Sequence, residues 1–189
     1  MSVTLLLILV NDCGIVSLRR TLRHTCGATI LNARRILTAA HCICTDDGQP
    51  QDASVFTIQY GSVRISATTE RSIQVSRIHC HDFNLEDITN DVAVLENQGP
   101  IPTVLQKLDV LVYTDQVCSR FDPRQHVCFG ATVGGACNGD SGTSLVVADE
   151  QVGIASFITN TCGIATERYP NVYAKVTAFL DFIDEHSRL

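Results

Sequence analysis

CNGDSGTSL, Cys137 to Leu145, sets a serine between two glycines and just ahead of an apolar run. Gly139 and Gly142 free the backbone to hold Ser141 on a tight turn. The following run, Ser144 to Val147, is of strand length, and similar segments recur along the chain between turn signals. They are Ala28 to Leu31, Arg35 to Ala39, Val55 to Tyr60, Ser72 to Ile78, Val92 to Leu95, Leu108 to Val112 and Val152 to Phe157. Many are rich in Val, Ile and Thr, a composition and spacing that predict an all-β sandwich or barrel. Only the last segment, VTAFLDFIDEHSRL, breaks the pattern. Val176, Phe179, Leu180 and Ile183 lie there at helical spacing, which predicts one amphipathic helix docked on the β core.

A chain of 189 residues with 45% hydrophobic residues is long enough to bury a full core, either as one domain or as two small fused barrels. A net charge of -6 and no block of Lys or Arg argue against nucleic acid as a partner. Nine cysteines suit a disulfide framework in an oxidising compartment, and the odd count leaves one thiol unpaired. The apolar run Val3 to Val10 reads as the front of a signal peptide, with a buried first strand as the competing reading. It is too short to span a bilayer.

Two further short motifs precede the GDSG turn. LTAAHC (Leu37 to Cys42) puts His41 after an apolar strand, and NDVAVL (Asn90 to Leu95) opens an apolar run with Asp91. Each alone reads as a structural residue or a turn; together, in the order His, Asp, Ser, they are hard to ascribe to accident. A zinc reading of HCIC (His41 to Cys44) and HCH (His79 to His81) is weaker. Zinc-ligand pairs usually have about two to four residues between them, and these ligands are crowded.

The three motifs, with VSLRRTLRHTCGATILNARRILTAAHC, RIHCHDFNLEDITNDVAVL, IPTVLQKLDV and YPNVYAKVTAFLDFI, resemble the trypsin-like or chymotrypsin-like serine proteases, with wording similar to secreted chymotrypsin-like and elastase-like enzymes of invertebrates. The resemblance implies a double antiparallel β-barrel with a C-terminal helix. It divides the chain into a signal-like segment over 1–12, a first barrel over 13–96 carrying His41 and Asp91, and a second barrel over 97–189 carrying Ser141. It implies a serine endopeptidase, a secreted, extracellular location, polypeptide substrates, and protein protease inhibitors as further partners. It implies no cofactor, metal, nucleic acid or membrane partner.

By motif, Ser141 is expected to be the nucleophile, His41 the general base and Asp91 its orienting group. Gly139 and Ser141 would supply the oxyanion hole. Gly135 would form the floor of the substrate pocket, Ser156 and Ile158 its edge, and Asn171 a polar group on its wall. Disulfides are implied between Cys26 and Cys42, Cys118 and Cys128, and Cys137 and Cys162; Cys13, Cys44 and Cys80 remain, and whether Cys44 pairs with Cys80, which would leave Cys13 as the free thiol, stays open.

Two departures from the pattern bear on activity. The family pairs the Asp140 equivalent with an α-amino group freed by an activating cut, and no matching IVGG-like segment occurs here. Asp91 lies as far from Ser141 as from His41, where the family has nearly twice the separation, and the usual tryptophan is missing. The expectation is a truncated form lacking the activation segment and part of the second barrel. Its alternative function is that of a non-catalytic homologue acting as a binding or regulatory protein.

Overall fold

Alternation of side chains makes the first strand, β1 (Ile15–Arg20), bury Val16 and Leu18 while Ile15 and Ser17 stay partly exposed. The computed structural model describes residues 14–60, 71–99, 111–113, 115–131, 134–148 and 150–188. Residues 1–12 and Cys13 thus lie outside the described residues, as does most of the expected strand over Leu108 to Val112. From β1 the chain turns through Thr21 and Leu22, at φ 48° and 69°, into β2 (Arg23–Asn32). Both residues adopt the left-handed conformation that two-residue hairpin loops require, without the glycine or asparagine that usually announces one.

With β3 (Arg35–Thr38), β4 (Phe56–Gln59), β5 (Ser72–Cys80) and β6 (Ala93–Asn97), these strands close a barrel in the order β1-β2-β3-β6-β5-β4, antiparallel throughout. Closure pairs every edge of the set. One irregularity matters below. The register runs Leu18 opposite Cys26 and then Arg19 opposite His24, so Thr25 is an extra residue in β2. Such a bulge bends the strand and re-aims its side chains.

The second half is a curled five-stranded sheet, β7 (Leu111–Val112), β8 (His126–Gly130), β9 (Ser144–Val147), β10 (Glu150–Ile158) and β11 (Asn171–Lys175), ordered β7-β8-β11-β10-β9. A short helix, α1 (Asp115–Cys118), precedes β8. β1, β8 and β11 are strands beyond those expected from the sequence. The C-terminal helix, α2 (Leu180–Ser187), starts later than the apolar spacing predicts, because Val176–Ala178 form a separate 3₁₀ turn.

Leu18, Ala28, Ile36, Leu37, Phe56, Ile58, Val94 and Leu95, all fully buried, belong to the core on and within the first barrel. The second sheet has a thinner core of Phe129, Leu145, Ala155 and Tyr173, with Val172 packed against the Cys118–Cys128 disulfide. Helix α2 lies on the first barrel rather than on the sheet that leads to it. Phe182 and Ile183 are buried there, each stabilising the docking by about 1.5–3 kcal/mol. The last carbonyls of a helix have no partner within it. Here Asn32 Nδ2 donates to Ser187 O at 2.7 Å and Arg35 Nε to His186 O at 2.8 Å, so barrel side chains cap the helix.

Candidate active site

His41 sits in a 3₁₀ turn, Ala40–Cys42, directly after β3, and Asp91 lies two residues before β6. Because Thr38 pairs with Ala93, the end of β3 and the start of β6 are adjacent, and this places the two side chains together. His41 Nδ1 is 2.8 Å from Asp91 Oδ2, and the His41 backbone N–H donates to Oδ1 at 2.9 Å. Ser156 Oγ, from β10 of the second sheet, donates to the same Oδ2. The Asp91 carboxylate is fully buried and the His41 ring is about 28% exposed. Cys26–Cys42 and Cys44–Cys80 fasten the histidine turn to β2 and to the end of β5.

The electrostatics follow from this contact. Burial opposes the charged imidazolium, but the hydrogen bond and negative charge of Asp91 outweigh it, so His41 titrates above an ordinary histidine. Burial likewise opposes the Asp91 carboxylate. The hydrogen bond and charge of His41, with the Ser156 donor, overcome that and hold its pKa below the usual value. A buried carboxylate with three donors is stabilised as the anion.

The turn bearing Ser141 is pressed against the first barrel. Gly27 N–H donates to Ser141 O at 2.7 Å. Gly142 has φ 83°, and a Cβ there would stand 2.2 Å from Gly27 O, so only glycine fits. Gly139, at φ 98°, approaches His24: its carbonyl is 3.1 Å from His24 Nε2, and Ser17 Oγ is 2.9 Å from His24 Nδ1. Among the described residues the backbone N–H groups of Gly139 and Ser141 donate to nothing, and Ser141 Oγ makes no hydrogen bond. Two unengaged amides beside a hydroxyl are what a developing oxyanion requires.

Asp140 is exposed, and its Oδ2 accepts the Cys137 N–H at 2.9 Å. The carboxylate closes its own turn.

A cleft of about 220 Å³ is lined by Ser141, Ala136–Asn138, Ala155–Ile158, Val172 and Tyr173. None of its lining residues is charged. Tyr173 is a neutral phenol, its pKa pushed up to about 12 chiefly by burial. Ile158 lines the cleft. Gly135 does not: it packs on the Ile164–Ala165 backbone, where a Cβ would meet Ile164 C at 2.8 Å. Asn171 is buried, accepting from Ala136 N at 2.7 Å and donating to Ile164 O at 3.2 Å, so its amide braces the wall from behind. Sequence reading missed the Ser156 contact with Asp91 and the Ser17–His24–Gly139 chain. Both join residues far apart in the sequence, for which no local signal exists.

Cys26, His41 and Cys42 bring ligand atoms within 4.8 Å of one another, but both sulfurs are in the disulfide, as are those of Cys44 and Cys80. None of these four sulfurs is therefore free to ligate zinc as a thiolate. Cys137 and Cys162 form the fourth bridge. No helix among the described residues is long and apolar enough to cross a membrane.

A family model described as Trypsin matches residues 13–103 and 96–183. Serine protease SP24D of Anopheles gambiae is 30% identical, the match covering 92% of this chain and 76% of the relative. Mouse neutrophil elastase is 28% identical over 89% of this chain and 75% of its own length. Among solved structures, neuropsin, a serine protease expressed in the limbic system of mouse brain, superposes with a TM-score of 0.72 at 23% identity, covering 94% of this chain and 96% of that one.

Proposed function

The chain belongs to the trypsin family of serine endopeptidases, and from that premise we propose that His41, Asp91 and Ser141 hydrolyse peptide bonds in polypeptides, cutting after small or medium apolar residues. The observation that carries the reading is the buried Asp91 carboxylate receiving both the ring and the backbone N–H of His41. It fixes the tautomer that leaves Nε2 free to take a proton.

Ser141 Oγ attacks the scissile carbonyl while His41 Nε2 accepts its proton; the imidazolium so formed is stabilised by Asp91. Negative charge on the carbonyl oxygen is received by the N–H groups of Gly139 and Ser141. His41 then protonates the leaving amine, and water repeats the sequence on the acyl-serine. The chemistry needs no cofactor or metal. In free enzymes the nucleophile–base contact is often loose and tightens with substrate, in keeping with the unengaged Ser141 hydroxyl. The uncharged cleft disfavours Lys or Arg before the cut bond, and Ala155, Phe157, Ile158 and Val172 supply apolar contact. We place the enzyme outside the cell, with 13–96 and 97–189 as its two halves and protein inhibitors as its further partners. Neither nucleic acid nor membrane has a role.

The test is a fluorophosphonate probe followed by peptide mapping. Labelling at Ser141 that vanishes in Ser141→Ala is expected. Equal labelling of both proteins would return the chain to the non-catalytic class.

A further inference from the structure

We propose that Gln125 and His126, from the second half of the chain, are positioning residues for Asp91: together they clamp the strained segment over 88–90 that delivers it to His41. This rests on the protease reading above. Ile88 and Asn90 have φ 52° and 54°. Left-handed backbone is uncommon for any residue but glycine, and a genuine outlier for a β-branched one such as Ile88. Such a conformation persists only where the surroundings over-determine it. Here the surroundings are two adjacent side chains at the head of β8. Gln125 Oε1 accepts the Asn90 N–H at 2.9 Å, and His126 Nε2 lies 3.2 Å from Ile88 O. Between these two, Thr89 exchanges both of its backbone hydrogen bonds with Asn84 at 3.2 Å.

A carbonyl only accepts, so the nitrogen that serves Ile88 must carry a proton. His126 Nδ1 faces Asp122 O at 3.1 Å, but that carbonyl already receives the backbone N–H groups of Gln125 and His126. Ile88 O receives no other donor among the described residues. A neutral ring therefore serves the segment with its proton on Nε2, and protonation keeps that bond while adding a donor at Nδ1. The ring is buried, with Phe121 and Phe157 at centroid distances of 6.3 and 5.9 Å, and the catalytic reading leaves it without a task. Gln125 is anchored in turn, its carbonyl accepting Lys175 N–H at 2.7 Å. What the clamp governs is the next residue. Val92 N–H donates to Asn90 O at 2.7 Å, closing a three-residue turn with Asp91 at its centre. With the Asn90 N–H and the Ile88 carbonyl both fixed, that turn aims the Asp91 carboxylate at the ring and backbone N–H of His41.

His126→Phe keeps a ring and removes the donor; Gln125→Leu keeps the bulk and removes the acceptor. The double variant is expected to lower kcat about 10²-fold on an apolar peptide ester with KM changed less than about threefold, since a misplacement of about 1 Å costs about that much. His126→Gln and Gln125→Glu, which return a donor and an acceptor, are expected to recover most of the loss. A second readout does not depend on turnover. Because Asp91 holds the His41 pKa up, a displaced Asp91 lets it fall toward that of an ordinary histidine. The His41 ring titration, followed by NMR, should shift to lower pH in the double variant while amides of β2 and β10 keep parental exchange and certify folding. Should the double variant fail to fold, each single variant is read in the same way. Parental kcat with a parental His41 titration overturns the proposal, and so do His126→Gln and Gln125→Glu proteins no better than their apolar counterparts. Failure of Ser141 to react with the probe would count against the protease reading alone, because the His41 titration would still report where Asp91 stands.

Discussion

Ser156 Oγ, on a strand of the second sheet, donates to Asp91 Oδ2 at the mouth of the first barrel. One carboxylate therefore joins the halves and orients His41. Ser156→Ala leaves a buried anion short of a donor, a loss of about 1–3 kcal/mol. Because the Asp91 pKa is held below its unfolded value, its contribution is present above the unfolded pKa and lost as pH falls through the folded one. The variant should unfold in less urea and lose stability in acid at a higher pH than the parent. Identical acid midpoints would refute this link.

His41 must be neutral to act as a base, and Asp91 raises its pKa above 6.5. The acid limb of kcat/KM is expected to have its midpoint above that value. Asp91→Asn should lower kcat by about 10⁴-fold, the loss known for the same exchange in a related triad. The linkage has the opposite sign to that of Asp91: the stability His41 gains from its partner is complete below its unfolded pKa and fades as pH rises through its folded one. Rate profiles of parent and variant, measured on one ester, check both statements.

Peptides with Leu, Val or Ala before the cut bond should be cleaved faster than those with Arg. Ile158→Gly should widen the cleft and raise the relative rate on Phe peptides. Gly135→Asp should not create a basic preference, because its Cβ would collide with the Ile164–Ala165 backbone. Overpacking of this kind costs about 1–3 kcal/mol, so a lower Tm is the expected result. A stable Gly135→Asp enzyme that favours Arg would contradict this account.

Opening the Cys44–Cys80 bridge by a paired Ser substitution should cost about 2–4 kcal/mol. Cys44 stands three residues after His41, so a fall in kcat should accompany the fall in Tm. Thermal unfolding and ester hydrolysis on the same preparation provide the measurement.

Much of the first barrel was legible because its strands bury apolar residues in runs bounded by turns, and the Asp91–His41 contact because each residue sits in a motif of its own. β1 and its hairpin were not, since Thr21 and Leu22 carry no turn signal although both occupy left-handed backbone. The helix start was misjudged because Val176, Phe179 and Ile183 have the same apolar spacing whether or not a 3₁₀ turn intervenes. Asn171 looks like a wall residue until its two hydrogen bonds are known, and Gly135 like a floor until its neighbours are. The support of Gly139 by His24 spans 115 positions and depends on a single extra residue, Thr25, in β2. Pattern along the chain carries no trace of such a bulge.

The capping of α2 by Asn32 and Arg35 has a bearing on how this protein recombines with its relatives. A chimera that joins the front half of one parent to the rear half of another exchanges the helix without the strands that receive it. The carbonyls of His186 and Ser187 then face foreign side chains, however well the cleft itself is preserved. Crossovers that carry α2 together with β2 and β3 should yield soluble hybrids far more often than a single exchange at the midpoint.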